Sequence, residues 1–554
     1  MQRKLLVGFL VFLPIIAYFC YLFCFAINLP NTDDLPAIFD FIGQFYPFKP
    51  EKWPALFGPF REHVVVLSKL SAYGQLLLQG SLDLKVLILL GNLFWVGVAY
   101  RLYTIFQQTK LPLVYFLPVT LILFQFQFAE TAFWAMALWS NMAILWLLCE
   151  SLNLLITTDE KKNNFRFAVA LLLAVLGVFT NGNGVLIPLI GFVVLWLKKE
   201  NIPKLALWFL VSVGTIYFYF QCRQNIKSDY GLANNIKVIL LGVFAFTGSY
   251  ADVVSGSFRW LAAPTGLLVV VGSLWVGIKN YSKYPFLPPH LFKLMAFLGF
   301  ILATAAATTL FRTGLDGLDA LFLGRYRHYS AFALAIFYLL LLGGGVAWQK
   351  KQLKMLLIGF SAFALIASTL SYYRDWGYRY FLQQELTADT YNMRFNNRLY
   401  LHRQNPEPLE NYFRQVSAAH LFAGEPYKIL QKPVETTPSF PMKMNWKIER
   451  NQSTELCQEV IEVEIEDFTY PLKNGHQSFW VLSNTKNTYL FSTMALKASP
   501  KQFVLNGTYF KKGLKGTIPL CQIVKQGEYR LYLLRTNNQV SNLLYVDPNF
   551  KLRF

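Results

Sequence analysis

Apolar stretches of about 20 residues recur through the first two thirds of the chain, each long enough to cross a bilayer as a helix. The first begins after Arg3 and Lys4 and reaches Asn28. It is too long for a signal-peptide core and lacks a small-x-small cleavage site, so we expect a retained first span. Ten further spans are predicted at 84–106, 111–128, 136–156, 165–179, 184–197, 204–221, 260–278, 291–310, 329–347 and 354–372.

The composition agrees with an integral membrane protein, because 55% of the residues are hydrophobic and only 15% are charged. We therefore expect an α-helical polytopic membrane protein with about eleven transmembrane helices. The predicted transmembrane domain is 1–372, and residues 28–83 form its first external loop. A helical linker, 373–444, and a β-rich domain, 445–554, complete a C-terminal extracytoplasmic α+β region that ends in a small β-sandwich.

Short basic loops stay on the cytoplasmic side of a membrane, and this rule sets the expected orientation. Six segments that alternate to one side are all basic: "MQRK", "RLYTIFQQTK", "DEKKNNFR", "KKENIPK", "KNYSKY" and "QKKQLK". An inner-membrane protein with a cytoplasmic N-terminus and a periplasmic or extracellular C-terminal domain is predicted. The net charge of +20 then requires no nucleic-acid partner. Segment 236–258 is interpreted as external or re-entrant helices, because another full crossing would invert everything after it.

The tail changes from a helical to an alternating pattern near Asn445. The runs "EVIEVEIEDF", "SFWVLS", "QFVLNGTYF" and "EYRLYLLRT" predict strands of a sandwich of about a hundred residues. Cys457 and Cys521 are the only cysteines of this region, and whether they pair is left open. The chain contains no CxxC, HExxH, Walker or GxSxG motif.

Two adjacent carboxylates, Asp33 and Asp34, follow the first span, and two interpretations are open. They can belong to the first turn of a helix that Asn31 or Thr32 caps. Alternatively they are catalytic. Further along the same loop, "REHVVVLSKLSAYGQLLLQG" has the spacing of an amphipathic helix lying in the membrane interface.

An external loop, 311–330, runs against the positive-inside bias, because it carries Arg312, Arg325, Arg327 and His328. Arginines near the end of a span can simply extend to the lipid headgroups. They also suit a phosphate in the outer leaflet, since guanidinium groups donate bidentate hydrogen bonds to phosphate oxygens. Lys69 would add a further positive charge.

The motifs occur in an order that resembles a known family. An acidic pair follows the first span, then come "EH", "ETAFW", "TNGNGVLIP" and "GRYRHYS". Residues 1–372 resemble a bacterial membrane glycosyltransferase of the GT-C fold, distantly like the protein O-mannosyltransferases and the lipid A aminoarabinose transferases. Relatives often read "EHR" where this chain has Val64, and arginine where it has Lys69. The tail resembles no family.

The resemblance implies inverting transfer of a hexose or pentose from a polyprenyl-phosphate donor to a glycan, lipid or protein acceptor at the outer face. Asp33 would be the base, and Asp34 would orient the acceptor or bind a divalent cation, Mg²⁺ or Mn²⁺. Arg325 would bind the leaving phosphate. The other expected substrate-binding residues are Glu62, His63, Lys69, Glu130, Arg312, Tyr326, Arg327 and His328.

Several alternatives stay open at this point. Trp134 beside Glu130 stacks on a sugar or anchors the interface, and Asn181 and Asn183 contact substrate or form a tight turn. A flippase for a lipid-linked saccharide would also be polytopic, but would carry charges within its spans or an internal repeat. A non-catalytic envelope assembly protein would need only one span. Membrane lipids are expected partners in every case.

Overall fold

A computed structural model describes most of the chain. The described residues are 2–31, 33–157, 163–223, 232–233, 235–254, 256–281, 287–344, 349–397, 406–422, 424, 445–450, 459–466, 477–484, 486–520, 523, 527–536, 541–545 and 552–553. Cys457, Cys521 and Thr32 lie outside this set. The open question of a Cys457–Cys521 disulfide and one of the two predicted helix caps therefore fall outside the described residues.

Helices dominate the first 420 residues, and one short helix lies further on, among the strands. In chain order they are α1 (Gln2–Phe25), α2 (Asp40–Phe45), α3 (Pro54–Phe57), α4 (Val66–Gln79), α5 (Leu84–Gly91), α6 (Leu93–Phe106), α7 (Leu117–Leu123), α8 (Ala129–Ala132), α9 (Ala135–Ala137), α10 (Ala143–Ile156), α11 (Asn163–Val178), α12 (Leu186–Leu197), α13 (Ile202–Gln221), α14 (Ile236–Thr247), α15 (Arg259–Tyr281), α16 (Pro289–Asp316), α17 (Arg327–Gly343), α18 (Lys350–Asn396), α19 (Pro406–Ala418) and α20 (Pro500–Asn506). The helix predicted within "REHVVVLSKLSAYGQLLLQG" is confirmed as α4, and its position in a membrane interface stays a prediction.

Eight helical segments in the described part of the chain are long and apolar enough to cross a membrane. They are Lys4–Phe25, Leu84–Thr109, Ala135–Ile156, Ile202–Gln221, Arg259–Tyr281, Pro289–Gly314, Gly324–Gly343 and Lys350–Asn396. Each coincides with a predicted span. The other three predicted spans, 111–128, 165–179 and 184–197, fall on shorter apolar helices, and the predicted count of eleven depends on them. By their length and composition, the eight long helices indicate a membrane protein.

The chain divides into two compact units. The first contains Met1–Phe23, Gln44–Gly74 and Leu87–Asp375, and the second contains Cys24–Gly43, Gln75–Val86 and Trp376–Phe554. The predicted external loop 28–83 contributes to both units.

In the first unit, α14 and α15 cross with their backbones in contact. A Cβ on Gly248 would lie 2.0 Å from the carbonyl oxygen of Ala262, and one on Gly266 would lie 1.9 Å from that of Phe244. Only glycine fits such a crossing, as in many helix pairs of membrane proteins. The crossing fixes the segment after α14, which carries Asp252.

The second unit contains two antiparallel sheets. Its strands are β1 (Asn445–Arg450), β2 (Glu459–Ile465), β3 (Gln477–Ser483), β4 (Thr488–Ser492), β5 (Met494–Lys497), β6 (Phe510–Pro519), β7 (Glu528–Thr536), β8 (Ser541–Tyr545) and β9 (Leu552–Arg553). One sheet has the order β1-β2-β6-β5, and the other has the order β4-β3-β7-β8 with β9 paired to β7. Gly516 lets the indole of Trp480 approach across the sheets, because a Cβ there would lie 2.2 Å from its Nε1.

Strand β3 is buried along its whole length, which shows that both faces of its sheet are covered. On the face opposite Trp480, Phe479 and Val481 form a core with Ala388 and Tyr391 of α18. The Asn392 amide donates to the carbonyl oxygen of Leu490 at 2.6 Å and accepts its N–H at 2.9 Å. The end of α18 is therefore a third layer of the β-rich region.

One predicted strand is wrong. Residues Pro500–Asn506, within and before "QFVLNGTYF", form α20, and strand β6 starts only at Phe510. Ser499 caps the helix and forms a reciprocal capping box with Gln502, while Pro500 occupies the first turn. Gly507 ends the helix in the left-handed conformation. These local signals outweigh the alternating pattern.

Candidate functional site

The "EH" motif lies in a tight turn of the first unit. Phe60 and His63 exchange backbone hydrogen bonds at 2.7 and 2.9 Å, and Arg61 takes a left-handed φ of 47°. The next segment is held by a bond from the Val66 N–H to the carbonyl oxygen of Phe179 at 2.8 Å. The turn therefore lies beside the "TNGNG" segment that follows α11.

His63 packs directly over Gly182 of that segment. A Cβ on Gly182 would lie 2.5 Å from His63 Nδ1, so the ring needs a glycine there. Its Nε2 is 3.4 Å from Glu62 Oε1, and 31% of the side chain remains accessible. Burial, followed by the charges of Arg223, Arg325 and Arg61, lowers the pKa of His63 from 6.5 to about 3. The imidazole is neutral at neutral pH.

Glu62 forms an ion pair with Arg312 of α16. Both side chains are largely enclosed, with 14% and 17% of their surfaces accessible. Since Glu62 also faces His63, it links the turn to α16. We call Arg61, Arg223, Arg312 and Arg325, which surround His63 and Glu62, the arginine set.

Arg325 lies on a short 3₁₀ turn, Gly324–Tyr326, before α17. Glu130 accepts the Arg325 backbone N–H at 3.1 Å, and its side chain packs on Gly324 so closely that a Cβ there would be 2.9 Å away. The Arg325 guanidinium lies 5.6 Å from the centre of the Tyr326 ring. Glu130 thus positions the turn that carries Arg325.

An uncharged polar group lies on the other side of Gly182. Asn181 donates to the side-chain oxygen of Asn141, and Asn183 donates to Tyr329 Oη at 2.9 Å and to Thr304 Oγ1 at 3.2 Å. We call these five residues the amide set. Thr304 and Arg312 are both on α16, and their spacing of eight residues corresponds to roughly 12 Å along the helix.

Arg327 does not join the arginine set. It is buried and pairs with Asp252, with Nη2 to Oδ2 at 2.7 Å, and also donates to the carbonyl oxygens of Asp252 and Phe322. Three of its five donors are therefore used inside the protein. This inward pairing accounts for one arginine of the unusual loop, and we leave Arg327 out of the substrate site proposed below.

Lys69 and His328 also face inward. The Lys69 ammonium donates to the carbonyl oxygens of Ala55, Leu56 and Gly58, at the end of α3, at 2.9, 3.3 and 2.6 Å. A cation at the carbonyl end of a helix is favourable. His328 is fully buried, with its ring centre 4.1 Å from that of Tyr329. Neither residue is included in the substrate site proposed below.

Asp33 and Asp34 are both buried in the second unit, before a π-helical segment, Leu35–Phe39. The Asp34 carboxylate accepts the Asn31 backbone N–H at 3.0 Å, and the Asp34 N–H donates to the Asn31 carbonyl oxygen at 2.8 Å. This is half of a capping arrangement, and it gives Asp34 a role at a helix start.

Within the described ranges, no group of three or more His, Cys, Asp or Glu side chains is arranged to hold a metal ion. One oxygen of the Asp34 carboxylate already accepts the Asn31 backbone N–H. We assign no step to a metal.

The sequence interpretation missed Arg223 and Asp252. Arg223 directly follows the span Ile202–Gln221, and its guanidinium lies 5.5 Å from the centre of the Tyr219 ring. The sequence signal for Arg223 was its position near the C-terminal end of this span, which is predicted to face outward, where basic residues are less common. Asp252 had a comparable signal, as a single acid within an apolar, glycine-rich segment.

Comparison with known proteins places the chain in no family: no family model matches it, and neither a curated protein nor a solved structure is significantly similar to it.

Proposed function

We propose that this protein is a membrane glycosyltransferase that moves a sugar from a polyprenyl-phosphate carrier to an acceptor glycan, lipid or protein of the cell envelope. The arginine set carries this proposal. Four guanidinium groups lie around a neutral His63 and the neighbouring Glu62, and only Glu62 supplies a negative charge in the ion pairs described there. Such a group suits a lipid-linked phosphate, whose negative charge grows as the sugar leaves.

In the proposed reaction, an acceptor hydroxyl oxygen attacks the anomeric carbon as the bond from that carbon to the phosphate oxygen breaks. The carrier phosphate leaves with the bonding electron pair, and a carboxylate takes the hydroxyl proton. The base is assigned to Asp33 from its position in the sequence directly after the first span, since Asp34 closes the turn at Asn31. Arg325 and Arg223 are assigned to the phosphate.

The amide set supports the same proposal, because amides and hydroxyls bind neutral sugar hydroxyls. The side-chain oxygen of Asn183 has no hydrogen-bond partner among the described residues. The bonds to Tyr329 and Thr304 hold the amide nitrogen, and a sugar hydroxyl that donates to the buried oxygen would satisfy it. Asn183 is assigned to the sugar, next to the phosphate site across Gly182.

The phosphate assignment is tested with Arg325→Met in purified full-length protein. A charge-assisted hydrogen bond contributes about 1.5–3 kcal/mol, so affinity for polyprenyl phosphate should fall about 10- to 100-fold. Arg259→Met is the matched control, because Arg259 pairs with Asp319 at an exposed position of the same unit. Equal affinities of the two variants would remove Arg325 from the phosphate site.

The base assignment is tested with Asp33→Asn. Formation of the glycosidic product should stop while polyprenyl-phosphate binding stays near that of the unmodified protein. Asp40→Asn, in the same loop, should retain turnover. Turnover by Asp33→Asn would exclude Asp33 as the base and leave the phosphate site standing. A protein that carries labelled lipid-linked sugar across proteoliposomes without making product would be a flippase instead.

A further inference from the structure

The excursion between β5 and β6 has an unusual composition. Residues 494–515 contain five lysines, and no acidic residue occurs between 489 and 527. Helix α20 forms the middle of this excursion, and its ends are joined by the pairing of Lys497 with Phe510. The excursion is therefore a closed, strongly basic hairpin with a short helix at its tip. We call it the basic tip.

Two large apolar side chains project from the basic tip. Val504 is 80% exposed and Leu505 is 69% exposed, whereas Phe503 between them and the sheet packs edge-on against Tyr509 with ring centres 5.8 Å apart. Helix α20 thus has one residue packed against Tyr509 and two neighbouring apolar residues that are mostly exposed. Adjacent exposed apolar side chains at a fixed tip mark an interaction surface.

The positive charges of the basic tip indicate what kind of partner binds this surface. Lys501 is on the same short helix as the apolar pair, and Lys511 follows Phe510, where the hairpin closes; both lysines are exposed. An apolar pair flanked by exposed lysines matches the boundary between anionic headgroups and acyl chains, where each lysine contributes about 1 kcal/mol. A soluble acidic partner would account for the lysines but not for Val504 and Leu505.

We propose that the basic tip binds an anionic lipid surface, with Val504 and Leu505 inserted among the acyl chains and the lysines at the headgroups. The chain itself supplies the membrane, since the second unit continues from helices α1 and α18 that contain candidate spans. This inference is independent of the proposed glycosyl transfer.

The test uses full-length protein with its native cysteines replaced by serine, in nanodiscs of phosphatidylcholine with or without phosphatidylglycerol. A nitroxide is attached at Leu505→Cys, and its accessibility to oxygen and to a water-soluble nickel complex is measured. Lys486→Cys, exposed in the β3–β4 connection, is the matched control. With phosphatidylglycerol, the label at 505 should favour oxygen and the label at 486 should favour nickel.

Neutralising two lysines tests the electrostatic part. Lys501→Gln with Lys511→Gln removes about 2 kcal/mol of surface attraction, so the ratio of inserted to free tip should fall about 30-fold. Both residues are exposed, and the thermal stability of the protein should not change. The proposal is overturned if the label at 505 is as accessible to nickel as the label at 486, or if it inserts equally without phosphatidylglycerol.

Discussion

Asp252→Asn is expected to destabilise the transmembrane unit strongly, because the Arg327 guanidinium then keeps a buried charge without a counter-charge. The Arg327 and Asp252 side chains are 1% and 0% exposed. The two bonds from Arg327 to the carbonyl oxygens of Asp252 and Phe322 survive the substitution. The carboxylate charge is lost, and the new NH2 group cannot accept the bonds that one Asp252 oxygen received from Arg327 or from the Gly256 and Phe258 N–H groups. Breaking one partner of such a pair costs about 3–5 kcal/mol.

Asp319→Asn is the matched control, since it removes the partner of Arg259 at a surface where the two side chains are 38% and 76% exposed. An exposed pair contributes about 0–1 kcal/mol. The double variant Asp252→Leu with Arg327→Met removes both charges and should recover much of the lost stability, because a buried pair is often replaceable by apolar residues.

The measurement is a reversible titration with sodium dodecyl sulfate in mixed micelles, which compares free energies of unfolding under one set of conditions. Asp252→Asn should lose at least about 2 kcal/mol more than Asp319→Asn. Equal losses would refute the buried pair as a structural element and return Arg327 to the candidates for substrate binding.

Three further predictions concern the site and the sheets. Gly182→Ala should cost about 1–3 kcal/mol of stability and reduce activity, since its Cβ would meet the His63 ring, whereas Gly74→Ala, with no atom within 4 Å, should be tolerated; thermal unfolding compares them. The folded pKa of His63, about 3, lies below its unfolded value of about 6.5, so the unfolded state binds more protons between them. Stability should fall as pH drops from about 6.5 toward 3, and a flat difference between His63→Gln and the unmodified protein across this range would contradict the shift. Asn392→Ala should accelerate amide exchange of Leu490 in β4, and unchanged exchange would show that the side-chain bonds do not hold this strand.

The sequence predicted the parts of the fold that depend on local pattern. Hydrophobic length located eight spans that coincide with long helices, and alternation located strands such as β3 and β7. Alternation failed at α20, where Ser499, Pro500 and Gly507 decide the local structure through capping and backbone conformation. The third layer of the β-rich region was not predictable, because its contacts join residues about a hundred positions apart.

For the candidate site, the sequence indicated which charged residues matter more readily than it indicated which of them form ion pairs. It selected Glu62, His63, Arg312 and Arg325, which the fold brings together, without indicating that Glu62 pairs with Arg312. It could not separate these from Arg327, whose partner lies 75 residues earlier, since a guanidinium that binds substrate and one that closes a buried pair have the same signature in a sequence. Topology, not residue type, makes that distinction.

The bonds between Asn392 and Leu490 also bear on how the β-rich region is assembled. Helix α18 is synthesised almost a hundred residues before β4. The Asn392 side chain is therefore already present when β4 emerges from the ribosome. In the finished sheet the side chain occupies backbone groups at the outer side of β4, which is the terminal strand of its sheet. The backbone groups in the middle of this edge are therefore not available to a strand of a second molecule. Aggregation through pairing of edge strands is hindered at β4 as soon as the strand has docked on α18.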